Sequence, residues 1–250
     1  MIHAKLHSLL EELKFKGMDQ ALEKILSETE KNGPTTSDTL IALLEEELRY
    51  RKERSLINRI KNARIPWDWT LSSFPFDRQP MLNKQQIMDL STADFVQRGE
   101  NIIFIGNPGV GKSGVAAGLL RESLISGYRG LFYNVQDLLN DLYASLADRT
   151  TTNLLNRLCR FDILLLDELS YLTLSIEQMN AFFKLMAERY LHNKTTIITT
   201  NLDYPKWYNL FKPKDMVDAM LDRLQHRCIT IRINGDSLRK NTSSNQQSRT

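Results

Sequence analysis

The chain has 250 residues, of which 42% are hydrophobic and 25% charged, with a net charge of +3; this is the make-up of a globular protein with room for one large α/β domain and a small appendage. No apolar run approaches the ~18 residues that span a bilayer, and the opening Met1-Ile2-His3-Ala4-Lys5 lacks the apolar stretch of a signal peptide, so no membrane partner and a cytoplasmic location are expected. Cys159 and Cys228 sit in apolar segments and read as buried free thiols, and His3, His7, His192 and His226 show no metal-ligand spacing alongside them, which argues against zinc.

Residues 1–65 read as a small all-helical domain. Leu6, Leu9, Leu10 and Leu13 recur at helical spacing, Gly17 reads as a break, and Leu22, Ile25 and Leu26 follow. Asn32-Gly33-Pro34 marks a turn, and Thr36-Ser37-Asp38 offers caps for a helix with Leu40, Leu43, Leu44 and Leu48 on one face, ended by Pro66. Residues 66–83, with Trp67, Trp69, Phe74, Pro75 and Phe76, form an irregular connector whose tryptophans are expected to pack into a core. Between residues 84 and 234 helical and strand periods alternate in the α/β manner. A helix is predicted over residues 84–98, strands over 101–105 and 130–135, and helices over 136–147 and 151–160. An apolar strand over 161–166 follows, then a helix over 176–191, a strand over 195–200, a helix over 214–227 and a strand over 228–233. Residues 235–250 are polar and read as a disordered tail.

Between the first of these strands and the helix-like Val115-Ala116-Ala117-Gly118-Leu119-Leu120 lies Gly106-Asn107-Pro108-Gly109-Val110-Gly111-Lys112-Ser113, which matches every fixed position of G-x-x-x-x-G-K-[ST]. The glycines let the backbone curl so that successive N–H groups, with that of Gly114, point at phosphate oxygens at the positive end of the helix. Lys112 would reach the β- and γ-phosphates and the Ser113 hydroxyl would hold Mg²⁺. A glycine-rich turn that binds nothing is the bland alternative, and the flanking strand and helix argue against it. The loop predicts a nucleoside triphosphate ligand.

Asp167 and Glu168 close the apolar strand that precedes them, where side chains enter the crevice at the carboxyl end of a parallel sheet. Asp167 is placed to hold Mg²⁺, and Glu168 to polarise the water that attacks the γ-phosphate. Acids also end strands merely to meet solvent, but an upstream P-loop makes this pair a Walker B arrangement, and its second acid argues for hydrolysis rather than phosphotransfer. Asn201, directly after the strand at residues 195–200, could orient that water or bond the γ-phosphate; its alternative is turn geometry. Arg223 could reach a neighbouring subunit's γ-phosphate as an arginine finger, or pair with Asp218 or Asp222 on the surface.

Together these residues resemble the AAA+ ATPases. Asp167-Glu168-Leu169-Ser170-Tyr171-Leu172, Thr199-Thr200-Asn201-Leu202 and Leu221-Asp222-Arg223-Leu224, in that order and spacing, resemble more closely the IstB-like ATP-binding proteins. These are helper ATPases of insertion-sequence transposition and close relatives of the DnaC helicase loaders. The likeness covers nearly the whole chain, including the connector from Thr70-Leu71 to Phe74-Pro75-Phe76. It implies an AAA+ core with a parallel sheet in the order 5-1-4-3-2, preceded by the helical domain and lacking a full helical lid. It implies ATP and Mg²⁺ as ligands, Asn201 as sensor 1, and ATP-dependent homo-oligomers on double-stranded DNA that stimulate the transposase of the same element. Gly114-Val115 stands where the family carries His-Leu, and Gly235-Asp236-Ser237-Leu238-Arg239 where it carries Gly-x-Ser-Tyr-Arg, with Arg239 the sensor 2 candidate.

The net charge is too small to identify a nucleic-acid partner, so its distribution must. Arg49, Arg51, Lys52, Arg54, Arg59, Lys61 and Arg64 crowd residues 49–64 against the single acid Glu53. On a helix they would contact backbone phosphates in a salt-dependent, sequence-tolerant way; a solvated face paired with Glu45-Glu46-Glu47 is the bland alternative. Arg149, Arg157 and Arg160 are weaker candidates. Two other readings stand beside a DNA-dependent transposition ATPase: a DnaC-like replicative helicase loader, and a small-molecule P-loop kinase with no use for Glu168 or Arg223.

Overall fold

A computed structural model describes residues 2–33, 35–170 and 174–239, and the chain divides into two compact units between Arg59 and Ile60. The first is built from α1 (Ile2–Glu12), α2 (Lys16–Asn32) and α3 (Thr36–Ala63), the last of which continues across the division. The break between α1 and α2 is not at Gly17. It lies at Lys14, whose φ of 58° lets Phe15 N–H donate to Leu10 O (2.8 Å) and close α1. Gly17 sits in the first turn of α2, where a Cβ would come within 2.6 Å of the Tyr50 Cβ. Close approach there lets the buried Glu47 of α3 cap α2, accepting from the Gly17 (2.7 Å) and Met18 (3.2 Å) amides. Burial alone would raise the Glu47 carboxyl, but Arg51, donating at 2.6 Å, and those amides hold it below its usual range. Of the four leucines predicted on one face of α3, Leu43 alone is buried, beside Leu10, Met18 and Leu22; Leu40, Leu44 and Leu48 are exposed.

The second unit is an α/β sandwich. Strands β1 (Asn101–Gly106), β2 (Gly130–Asn134), β3 (Ile163–Leu169), β4 (Thr195–Thr200) and β5 (Cys228–Ile233) form one parallel sheet ordered β2-β3-β4-β1-β5, the predicted 5-1-4-3-2 read from the other edge. Residues alternate between its faces, and both are covered, which explains the unbroken apolar runs. One face packs on α6 (Lys112–Ile125), through Phe104, Leu165 and Ile197 against Val115, Leu119 and Leu120. The other meets α7 (Val135–Ala147), α8 (Thr151–Cys159), α9 (Ile176–Leu191), α10 (Tyr204–Leu210) and α11 (Lys214–Gln225), through Ile103, Leu164, Leu166 and Ile198.

Several boundaries depart from the sequence reading. The helix predicted over residues 84–98 is two short ones, α4 (Lys84–Leu90) and α5 (Asp94–Gln97), because Ala93 takes a left-handed conformation (φ 64°) between them. Val135 starts α7 instead of ending β2, since the Asn134 side chain accepts from Gln136 N–H at 2.9 Å and caps the helix. A helix not expected from the sequence, α10, opens with Pro205 in its first turn. Trp67 and Trp69 are 38% and 44% exposed instead of entering a core, and Cys159 and Cys228 are free but only half-buried. Tyr171, Leu172 and the tail from residue 240 lie outside the described residues. Among the described residues no helix is long and apolar enough to cross a membrane.

Arg189 of α9 is 1% exposed. Its guanidinium donates to Leu158 O (2.9 Å), Phe161 O (3.2 Å) and the Thr196 hydroxyl (3.2 Å), as well as to Thr195 O, tying the end of α8 to the starts of β3 and β4. Burial lowers its pKa to about 10, which leaves it charged at neutral pH. Arg189→Met would strip these carbonyls of a donor and cost about 2–4 kcal/mol, read as a lower denaturation midpoint; an unchanged midpoint would contradict the pinning role.

His7 links α1 to α2, with Nδ1 2.6 Å from Asp19 and Nε2 3.3 Å from Glu23, and these two carboxylates raise its pKa. A raised folded pKa means a contribution present below the unfolded value of about 6.5 and lost as pH rises through the folded one. Amides of α1, corrected for intrinsic exchange, should therefore exchange faster relative to α3 at pH 8 than at pH 5.5. His7→Gln should flatten that difference, and an unchanged one would contradict the link.

Candidate nucleotide-binding site

A cavity of about 660 Å³ opens at the carboxyl ends of β1, β3 and β4. Its floor is the loop from Gly106 to Ser113, between β1 and α6, with Val110 fully buried beneath it and Asn107 and Pro108 exposed at its crest. Gly109 and Gly111 take φ of 85° and 96°, which L-residues with a Cβ rarely adopt. Lys112 folds over the loop, its Nζ 2.9 Å from both Gly106 O and Asn107 O. Burial lowers the Lys112 pKa; the carboxylates of Asp167 and Glu168 work against that shift, and the nearby Arg239 adds to it.

Opposite the loop, β3 presents both predicted acids. Asp167 is 2% exposed and Glu168 is exposed to the cavity. Burial raises the Asp167 carboxyl above its usual range, against hydrogen bonds from Thr199 and Ser113. Glu168 has a φ of 63°, and its carboxylate accepts from the Asn134 side chain at 3.3 Å. Asn201, one residue past β4, also lines the cavity, with its Oδ1 buried and without a hydrogen-bond partner among the described residues. Ser113 and Asp167, a hydroxyl and one carboxylate, are hard oxygen donors of the kind that hold Mg²⁺ while leaving the rest of its shell to water and phosphate.

The connector and the last described residues form the walls. Trp69 stacks on Trp67 (centroids 4.9 Å apart) and lies where a side chain at Gly114 would be, 2.6 Å from the ideal Cβ position. Phe74 covers Gly111 in the same way at 2.7 Å. On the other side Leu238 N–H donates to Gly109 O (2.8 Å), while Gln79 and Arg78 of the connector donate to Asp236 O (2.7 Å) and Leu238 O (3.2 Å). Arg239 is thereby brought to the rim of the cavity.

The remaining predicted residues lie elsewhere. Arg223, on α11, lines a separate hollow of about 210 Å³ with Asn101, Lys194, Thr196 and Arg227, at the amino ends of β1 and β4, the opposite end of the sheet from the loop. On α3 the acids intervene: Arg49 pairs with Glu46 and lies 4.0 Å from Glu53, and Arg51 is held by Glu47. Arg54 donates to the Tyr50 hydroxyl (2.9 Å) and Arg59 to Ser55 (2.7 Å). Lys52, Lys61 and Arg64 are exposed. Asn134, Thr199 and the connector walls belong to the site without being among the residues predicted for it. The one available signal was for Asn134, a polar side chain at the carboxyl end of a buried strand.

The sequence matches the model of the IstB-like ATP binding protein family over residues 8–246. It is 32% identical over 235 residues to the insertion sequence IS21 putative ATP-binding protein of Pseudomonas aeruginosa, covering 94% of this chain and 88% of that one. It is 31% identical over 243 residues to the IS232 putative ATP-binding protein of Bacillus thuringiensis subsp. berliner, covering 95% and 94%. The fold resembles that of the DnaC helicase loader (TM-score 0.55, 23% identity, 68% of this chain and 99% of that one). It also resembles AMPPCP-bound DnaA from Aquifex aeolicus (TM-score 0.55, 20% identity, 66% and 50%). The architecture is thus that of the AAA+ P-loop proteins, and the chain belongs to the IstB-like ATP-binding family.

Proposed function

We propose that the chain is a Mg²⁺-dependent ATP hydrolase that assembles with copies of itself on double-stranded DNA and serves the transposase of an insertion sequence. The observation that carries the hydrolytic reading is Glu168 opening into the cavity lined by Lys112 and Ser113, with the buried Asp167 hydrogen-bonded to Ser113 beside it. A kinase of a small molecule needs the loop but has no use for a second acid on β3. The insertion-sequence setting is supported by the relatives, which are described as insertion sequence ATP-binding proteins.

In this reading the loop amides from Gly106 to Gly114 bind phosphate oxygens, and Lys112 turns from Gly106 O and Asn107 O to the β- and γ-phosphates. Mg²⁺, when held by Ser113 and Asp167, neutralises phosphate charge. Glu168 orients a water in line with the γ-phosphorus and takes its proton, and the unpartnered Oδ1 of Asn201 accepts a hydrogen bond from that water. Arg239, strapped to the loop by the connector, adds positive charge at the rim. Arg223 sits at the far end of its own sheet, so its role as a finger requires a neighbouring subunit. Since Arg49 and Arg51 hold acids of their own helix, DNA phosphates fall more to Lys52, Arg54, Arg59, Lys61 and Arg64.

Turnover of ATP with and without duplex DNA tests the proposal. DNA should stimulate turnover, less so as salt rises, and Glu168→Gln should lower it about 100-fold or more while sparing ATP binding. Glu168→Gln turning over at the wild-type rate, or a protein indifferent to DNA, would overturn it. Arg223→Ala alone should be inactive and regain activity when mixed with Lys112→Ala, which keeps its own Arg223; full activity of Arg223→Ala by itself would remove the finger.

A further inference from the structure

Between β3 and β4 the parallel register slips. Leu166 pairs with Ile198 and Leu169 with Thr200, so Asp167 and Glu168 together stand opposite the single residue Thr199. Such an irregularity leaves backbone groups unpaired in the ladder. Here the Thr199 hydroxyl occupies the gap from both directions. Its oxygen accepts from Glu168 N–H at 3.0 Å, and its proton is donated to Asp167 Oδ1 at 2.6 Å. Thr199 is 1% exposed and Asp167 2%, so neither bond is easily replaced by water. Glu168 meanwhile holds a left-handed φ of 63°, a conformation that persists only where the surroundings impose it.

We propose that Thr199 is the positioning residue of the acid pair: one hydroxyl, acting as donor and acceptor at once, fixes the Asp167 carboxylate toward Ser113 and turns the Glu168 backbone so that its side chain enters the cavity. Only serine or threonine combines those two functions at this size. Valine has threonine's shape and neither function, so it leaves the buried Asp167 carboxylate with one hydrogen bond fewer and the Glu168 amide without the Thr199 oxygen. This rests on the hydrolytic reading, since it gives the two acids the roles that reading assigns.

The test compares Thr199→Val, Thr199→Ser and the unaltered chain. Turnover of ATP is measured together with binding of a fluorescent non-hydrolysable ATP analogue, in EDTA and across a Mg²⁺ titration, with thermal melting as the check on folding. Thr199→Val should lower kcat about tenfold or more and raise the Mg²⁺ concentration needed for half-maximal binding. Its affinity for the analogue in EDTA should stay at the wild-type value, and Thr199→Ser should recover most of both losses. Thr199→Val behaving as wild type in kcat and Mg²⁺ requirement would overturn the inference. Thr199→Ser failing as badly as valine would do so too, because the methyl group and not the hydroxyl would then matter. If Thr199→Val does not fold, Thr199→Ala against Thr199→Ser makes the same comparison. Glu168→Gln retaining turnover would sink the hydrolytic reading itself, whereas an inactive Glu168→Gln beside an unimpaired Thr199→Val would sink this inference alone.

Discussion

The site depends on a mismatch of one residue between two neighbouring strands. A regular parallel ladder through residue 169 of β3 would send Asp167 and Glu168 to opposite faces of the sheet, and one of them would be lost to the packed side. The slip between Leu166 and Leu169 lets β3 carry one residue more than β4, with the Thr199 hydroxyl bonded to both acids' segments. The two carboxylates can then serve one cavity: Asp167 buried and beside Ser113, Glu168 open and within reach of Asn134. Burial works against the charged forms of both Lys112 and Asp167, and a polyanion with a divalent cation is the kind of ligand that would favour both charges.

A second constraint comes from the connector, which runs along α6 and fills space that side chains leave. Trp69 takes the place of a side chain at Gly114, and Phe74 does the same at Gly111. Because residue 114 is glycine, the indole can lie directly on the helix that follows the loop. The backbone strap does not depend on the Leu238 side chain, because its bonds to Gly109, Arg78 and Gln79 run through main-chain atoms of residues 236 and 238. Arg239 reaches the rim by that strap.

What could be read from the sequence was mainly what local chemistry determines. The loop, the apolar β3, the strand over residues 195–200 and the helix over 176–191 announce themselves through short-range pattern, and the sheet order followed from resemblance. The features that were missed depend on pairs distant in the chain. Thr199 reads as one more β-branched residue in a strand until its register against β3 is known. Gly17 looks like a helix break until Tyr50 and Glu46 are found against it, and Glu47 looks like surface charge until it caps α2. The basic run on α3 was visible, yet the i,i+3 and i,i+4 acids that engage Arg49 and Arg51 take two residues from it.

If the acid pair turns the loop from a nucleotide holder into a hydrolase, as proposed, the oxygen in the product reports on it. Single turnover of ATP with Mg²⁺ and duplex DNA in ¹⁸O-labelled water should release inorganic phosphate carrying one solvent oxygen for each ATP consumed. Release of ADP without labelled phosphate, with the γ-phosphoryl group found on an acceptor molecule, would contradict the account.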